Sequence, residues 1–225
     1  MGRQRKDLFI SEINLMIDYC FYSFNQFNEV LHRMDDEKDY DLDYFWYHAQ
    51  TFITYAANLS KLLWATKNHN EKTNDFLNRK KFRDDLRKEV GVLESSILKD
   101  KKLRNRFEHI DEDIDFFKEN IVISRSFGPS TQIISIDNQG YDLSKEKQFR
   151  HYNPYTTTLH LYGQAMNLQV LYDEIKLLSE KVTEYEKREN KMFHFSPRRS
   201  GLRSAVPTIN QSTKQAESRR DSDET

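Results

Sequence analysis

Arg104, Asn105, Glu108 and His109 are the residues of this chain whose types and spacing could do chemistry together. On a helix they fall within an arc of roughly 140°, with Arg104 and His109 roughly 7–8 Å apart along the axis. The opposite face is apolar: Leu103, Phe107, Ile110, Ile114 and Phe117 recur at spacings of 4, 3, 4 and 3, the period of a helix that buries one side. A guanidinium beside an imidazole suits metal-free cleavage of RNA, in which the 2′-hydroxyl attacks the adjacent phosphorus. That reaction needs a proton carrier near neutral pH, which histidine supplies. It also needs a permanent cation on the phosphate oxygens, which arginine supplies through paired N–H donors. His109 is therefore assigned proton transfer and Arg104 the transition-state charge. Asn105 would orient His109 or the phosphate, and Glu108, one turn from Arg104, would hold the guanidinium by an i,i+4 pair.

One histidine and one arginine make half a site. Their face points away from the apolar stripe, so a second copy of the same face can meet it across a two-fold axis. The expectation is a homodimer with a composite site. The plainer reading of the same residues is a solvated polar face, or a hydrogen-bond network that locks a dimer.

The run Arg104-Asn105-Arg106-Phe107-Glu108-His109 resembles the Arg-x(4–6)-His signature of the HEPN superfamily of helical RNases and nucleotide binders. The wider stretch LRNRFEHIDEDID is most similar to the branch related to abortive phage infection proteins, where such a run lies on a late helix of the bundle. The resemblance covers residues 7–120. It implies paired motifs across a dimer interface and a toxin-like endoribonuclease of phage defence or toxin–antitoxin systems. An antitoxin or regulatory protein would then be a further partner. The superfamily also includes non-catalytic members, so the alternative is a dimeric module that binds RNA, nucleotide or a partner protein.

The elements that must position this face read as mainly α. Six glycines and four prolines in 225 residues argue for long uninterrupted elements. A first helix is predicted over 7–34, with Ile10, Ile13, Ile17, Phe21, Phe24 and Leu31 on one face and Tyr19, Tyr22 and Phe27 widening it. Asp41 or Asp43 is expected to cap a second helix, about 43–68, with Phe45, Ala49, Phe52, Ala56, Leu59 and Leu63 inward. A third helix at about 75–90 ends at Gly91, and a fourth, over about 93–119, carries the candidate site. Together residues 1–120 are predicted to form an antiparallel four-helix bundle, HEPN-like by the resemblance above. The period then changes. Residues 121–163 read as a β insert, with a hairpin around Gly128-Pro129-Ser130-Thr131 and a third strand over 156–162. Residues 164–192 read as a long helix docking on the bundle or on a partner chain, with Leu168, Leu171, Ile175, Leu178, Val182 and Tyr185 on one face. Residues 193–225 are Ser-rich and polar, and are predicted to be disordered.

The net charge of −1 gives the whole chain no polyanion-binding signature, so a basic groove would have to be local. Between Phe76 and Arg106 there are eleven Lys and Arg against five acids. Arg79, Lys80, Lys81 and Arg106 are accordingly the candidate RNA contacts, against the bland alternative of a charged helix surface. Asp111, Glu112, Asp113 and Asp115 lack a His or Cys at ligand spacing and read as a solvated acidic face, so neither metal nor cofactor is expected. His48, His69, His151 and His160 are scattered and receive no role. The single cysteine, Cys20, sits on an apolar helix face and reads as a buried, inert thiol. No apolar run is long enough to span a bilayer, and there is no hydrophobic signal core. Together these give the expectation of a cytoplasmic protein without membrane attachment.

Overall fold

Apolar residues at helical spacing place the first long element where expected. A computed structural model of the chain describes residues 2–34, 41–100, 102, 105, 107, 109, 115, 126–127, 150–161 and 164–189. Helix α1 (Gly2–Met34) begins several residues before Asp7. It buries Ile10, Ile13, Ile17, Phe21, Phe24 and Phe27, whereas Leu31, also expected inward, is only partly buried near the helix end. Tyr19 and Tyr22, expected to widen the apolar face, are instead partly exposed at its edge. Their hydroxyls and ring edges favour the rim, where one end of the side chain stays wet.

Helix α2 (Leu42–Leu63) starts at Asp41, whose carboxylate accepts the Tyr44 backbone N–H at 2.9 Å. It runs antiparallel to α1, so that Phe27 meets Phe45 at 5.7 Å and Phe24 meets Phe52 at 5.3 Å between ring centroids. Each such buried ring contributes on the order of 2–3 kcal/mol in area alone. The six residues predicted to face inward on α2 are all buried, as are Trp46 and Trp64. The helix stops at Leu63 rather than at residue 68, because Trp64 turns into extended backbone and arginines from the next helix take the terminal carbonyls.

Helix α3 (Thr73–Val90) ends as predicted at Gly91. Gly91 adopts φ 81°, and its N–H bonds the Arg87 carbonyl at 2.8 Å. The next N–H, of Val92, returns to the same carbonyl, a closure that needs the left-handed conformation glycine adopts without steric cost.

The predicted fourth helix does not begin at residue 93. Residues 92–96 are turn and loop, followed by a single 3₁₀ turn at Ile97–Lys99. The cause is Ser96: its hydroxyl accepts the Leu98 N–H at 3.3 Å and donates to Glu174 at 2.6 Å, giving the backbone a local alternative to the helix. Asp100 then accepts the Lys102 N–H at 2.9 Å, and Lys102, Asn105 and Phe107 are helical. The rest of the predicted stripe (Leu103, Ile110, Ile114 and Phe117) lies outside the described residues.

Four short strands make one sheet in the order β1 (Ser126–Phe127), β2 (Arg150–Asn153), β3 (Thr158–Leu161), β4 (Gln164–Asn167). β1 pairs parallel to β2, whereas β2, β3 and β4 form an antiparallel meander in which Leu159 stands opposite both Tyr152 and Met166. The predicted third strand is β3. The predicted hairpin around residues 128–131 lies outside the described residues, and so does the tail over 193–225. Tyr152, Leu159 and Leu161 bury into the helical layer, with Tyr152 against Phe45 at 4.8 Å.

Residues 164–167, expected to open the last helix, are strand β4 instead, and helix α4 runs from Leu168 to Arg188. Asn167 sets that boundary. Its side-chain oxygen accepts the Val170 N–H at 2.9 Å, while its amide donates to the Thr156 carbonyl at 2.7 Å. It caps the helix and ties it to the β2–β3 turn. α4 docks antiparallel on α1: Tyr172 stacks on Phe24 at 4.0 Å, and toward the other end Asn14 donates to the buried Glu186 carboxylate at 2.6 Å. Its six predicted inward residues are all buried. Met1–Phe195 thus make one compact unit in which the C-terminal helix completes the core of the N-terminal ones. Among the described residues no helix is long and apolar enough to cross a membrane.

Candidate functional site

Asn105 and His109 sit one helical turn apart, joined by a hydrogen bond from the His109 backbone N–H to the Asn105 carbonyl at 3.0 Å. Both side chains are exposed. Phe107, between them in sequence, is buried, and the Arg150 guanidinium lies 5.6 Å from its ring centroid. A polar outward face and an apolar inward one are therefore observed at these positions. Exposure leaves the imidazole of His109 accessible to a polyanion in solution, which a proton-transfer group requires. Arg104, Arg106 and Glu108 lie outside the described residues, as do Asp111, Glu112 and Asp113. Asp115 is exposed. Among the described residues no three His, Cys, Asp or Glu side chains converge on a point where a metal could sit.

The basic helix α3 uses much of its charge internally. Arg79, Arg83 and Arg87 follow one another at i, i+4 and i+8, and all three reach the C-terminal end of α2. Arg79 donates to the Thr66 carbonyl at 2.9 Å and grips Glu71 through Nε and an Nη at 2.6 and 2.5 Å. Arg83 donates to the Lys61 carbonyl, and to that of Trp64 at 2.9 Å. Arg87, itself buried, donates to Leu63 at 2.6 Å, to Asp84 at 2.6 Å and to Glu94 at 2.7 Å, with the Trp64 ring 5.1 Å away. Cations at the negative end of a helix dipole are favourable, and here they also satisfy carbonyls the helix leaves open. The Glu71 carboxyl is held below its usual range by the Arg79 hydrogen bond, although its burial opposes this. Of the candidate RNA contacts, Arg79 is thus committed to this joint. Lys80 and Lys81 are exposed but pair with Asp84 at 2.8 Å and Asp85 at 3.5 Å.

Two histidine clusters appear that the residue spacing did not suggest. Buried His48 is ringed by Tyr22, Tyr44 and Tyr47, with centroids 6.0, 4.3 and 4.9 Å away. Burial holds its imidazole below the ordinary value, against a smaller opposing pull from Glu29. His151 and His160 face each other across the β2–β3 pair at 5.8 Å between ring centroids. His151 is buried, and that desolvation, reinforced by its neighbour His160, pushes its pKa down to about 4. Only pairing across strands brings the two together, so no local spacing announces them. Cys20 is fully buried, with its thiol pKa pushed well up by desolvation, which removes it as a nucleophile.

Compared with protein-family models, with curated proteins and with solved structures, the chain matches none significantly.

Proposed function

We propose that this chain is a metal-independent endoribonuclease, toxin-like in the manner of phage-defence or toxin–antitoxin systems, whose site is completed at a homodimer interface. The observation that carries this reading is the outward placement of His109 and Asn105 on one helical turn, with Phe107 buried behind them. His109 transfers the proton and Asn105 orients it or the phosphate. Arg104 neutralises the phosphorane charge, Glu108 holds Arg104, and the second copy supplies the complementary set. Such an enzyme requires a control in its own cell, hence an antitoxin or regulatory protein among its partners. The test is incubation of mixed-sequence RNA in EDTA with the protein and with His109→Ala. The expected products carry 2′,3′-cyclic phosphate ends and disappear with the substitution. Cleavage that persists in His109→Ala would remove this residue from the chemistry.

A second reading is a non-catalytic dimeric module that binds RNA, nucleotide or a partner protein. It is favoured by the engagement of Arg79 with Glu71 and Thr66, which leaves less free cation on α3 than an RNA-gripping helix would offer. On this reading His109→Ala weakens binding or dimerisation and no RNA product forms. Toxicity of the wild-type gene on expression, relieved by His109→Ala, discriminates in favour of the nuclease.

A further inference from the structure

α1 contains no lysine or arginine from Asp7 to Leu31, and α2 contains none from Leu42 to Ser60. The charges these stretches do carry are Asp7, Glu12, Asp18, Glu29 and Asp43. Their outward positions are held by aromatic rings: Tyr19, Tyr22, Tyr44 and Tyr47 are 40%, 49%, 38% and 65% exposed. These rings form one surface. Three of them surround His48, and Tyr19 lies 4.7 Å from Tyr55 across the same helix pair. Leu15, also exposed, continues the stripe at helical spacing with Tyr19 and Tyr22. Glu12 and Glu29 flank it on α1, each seven residues from a tyrosine of the stripe, which places them on the same face. The Glu29 charge acts on both Tyr44 and His48.

A face with these properties is a poor site for nucleic acid, since from Asp7 to Leu31 on α1 and from Leu42 to Ser60 on α2 it offers no cation to displace phosphate counterions, and Arg33, just beyond on α1, lies 3.9 Å from Glu29. Tyrosines are the residues that dominate binding energy where they cluster in protein contacts, and their ring faces attract guanidinium and ammonium groups. Glu12 at one end of the stripe adds attraction of the same sign, and Glu29 at the other can exchange its exposed, weak pair with Arg33 for a partner's cation. We infer that the α1–α2 tyrosine face is the docking surface for a cationic polypeptide, whose arginines or lysines lie over the tyrosine rings and reach Glu12 and Glu29. The residues involved are separate from Asn105 and His109, and the inference does not rest on nuclease activity.

The test uses the full chain and a labelled amphipathic peptide with arginine and leucine at helical spacing, followed by fluorescence anisotropy. Controls are the same peptide with glutamate for arginine, and a single-stranded RNA. The arginine peptide is expected to bind, and to lose at least about tenfold in affinity with Tyr22→Ala/Tyr47→Ala and again with Glu12→Lys/Glu29→Lys. The second pair reverses charge without removing a ring, so a folding defect in the first does not obscure the result. Peptide binding unchanged in both double variants would overturn the inference. So would RNA or the glutamate peptide binding in a way those variants abolish, which would give the face to a polyanion. Sedimentation supplies the remaining outcome: a dimer that Tyr47→Glu dissociates would assign the face to a second copy and likewise overturn it.

Discussion

Arg87 donates to the carbonyl oxygen of Leu63 at 2.6 Å, so that a side chain of α3 closes the end of α2. The same guanidinium holds Asp84 and Glu94. Removing it strands a helix-end carbonyl and takes one partner from each of two carboxylates, leaving Asp84 with Lys80 and Glu94 with Lys99 and the Trp64 indole N–H. Arg87→Met is expected to cost about 2–3 kcal/mol of stability by urea unfolding, with Arg87→Lys recovering less than half, since an ammonium cannot reproduce the fork. A loss within experimental error would mean that the joint is ornamental.

Phe107 and its neighbours Asn105 and His109 should separate cleanly in stability. Phe107→Ala removes a buried ring and is expected to cost about 2–4 kcal/mol. Asn105→Ala and His109→Ala, on the exposed side of the turn, should stay within about 0.5 kcal/mol of wild type. Thermal melts of the three variants check this, and they establish that any lost activity in the His109 variant is chemical.

His151 makes stability depend on pH in a defined window. Its folded pKa of about 4 lies below the ordinary 6.5, so as pH falls the unfolded chain takes up the proton first. The stability this residue contributes is complete above pH 6.5, declines from there to about pH 4 and then levels off. The decline amounts to about 3 kcal/mol at most. Denaturant titrations at intervals across that range should show a shallower slope for His151→Gln. A slope unchanged by the substitution would refute the buried neutral imidazole.

Asn167 serves both strand and helix. Asn167→Ala is expected to cost about 1–2 kcal/mol, from the lost N-cap and the lost bond to Thr156. Asn167→Asp keeps the acceptor for Val170 while losing the donor to Thr156, and should fall between. Equal losses for both would place all the stabilisation in the hairpin tie.

What the sequence makes legible here is what local period and local caps determine. The inward residues of α2 and α4, and those of α1 from Ile10 to Phe24, follow from apolar spacing, and Asp41 and Gly91 announce their helix ends through their own backbone chemistry. The end of α2 is illegible locally because Arg79, Arg83 and Arg87, from another helix, determine it. The start of α4 is misread because the partner of Asn167 is Thr156, across a hairpin. At the candidate site, burial of Phe107 and exposure of His109 follow from the stripe. The tyrosine ring around His48 does not, because Tyr22 comes from a different helix and its exposure depends on how α1 and α2 lean together.

The bond between Asn14 and Glu186 spans 172 residues of chain. During synthesis α1 and α2 can pair early, but the face of α1 that receives Tyr172 and Glu186 stays uncovered until α4 has been made. Closure of the core is therefore a late, long-range event, slow by virtue of its contact order. A ribosome that stops short of α4 releases a hairpin of helices with an aromatic seam open to water.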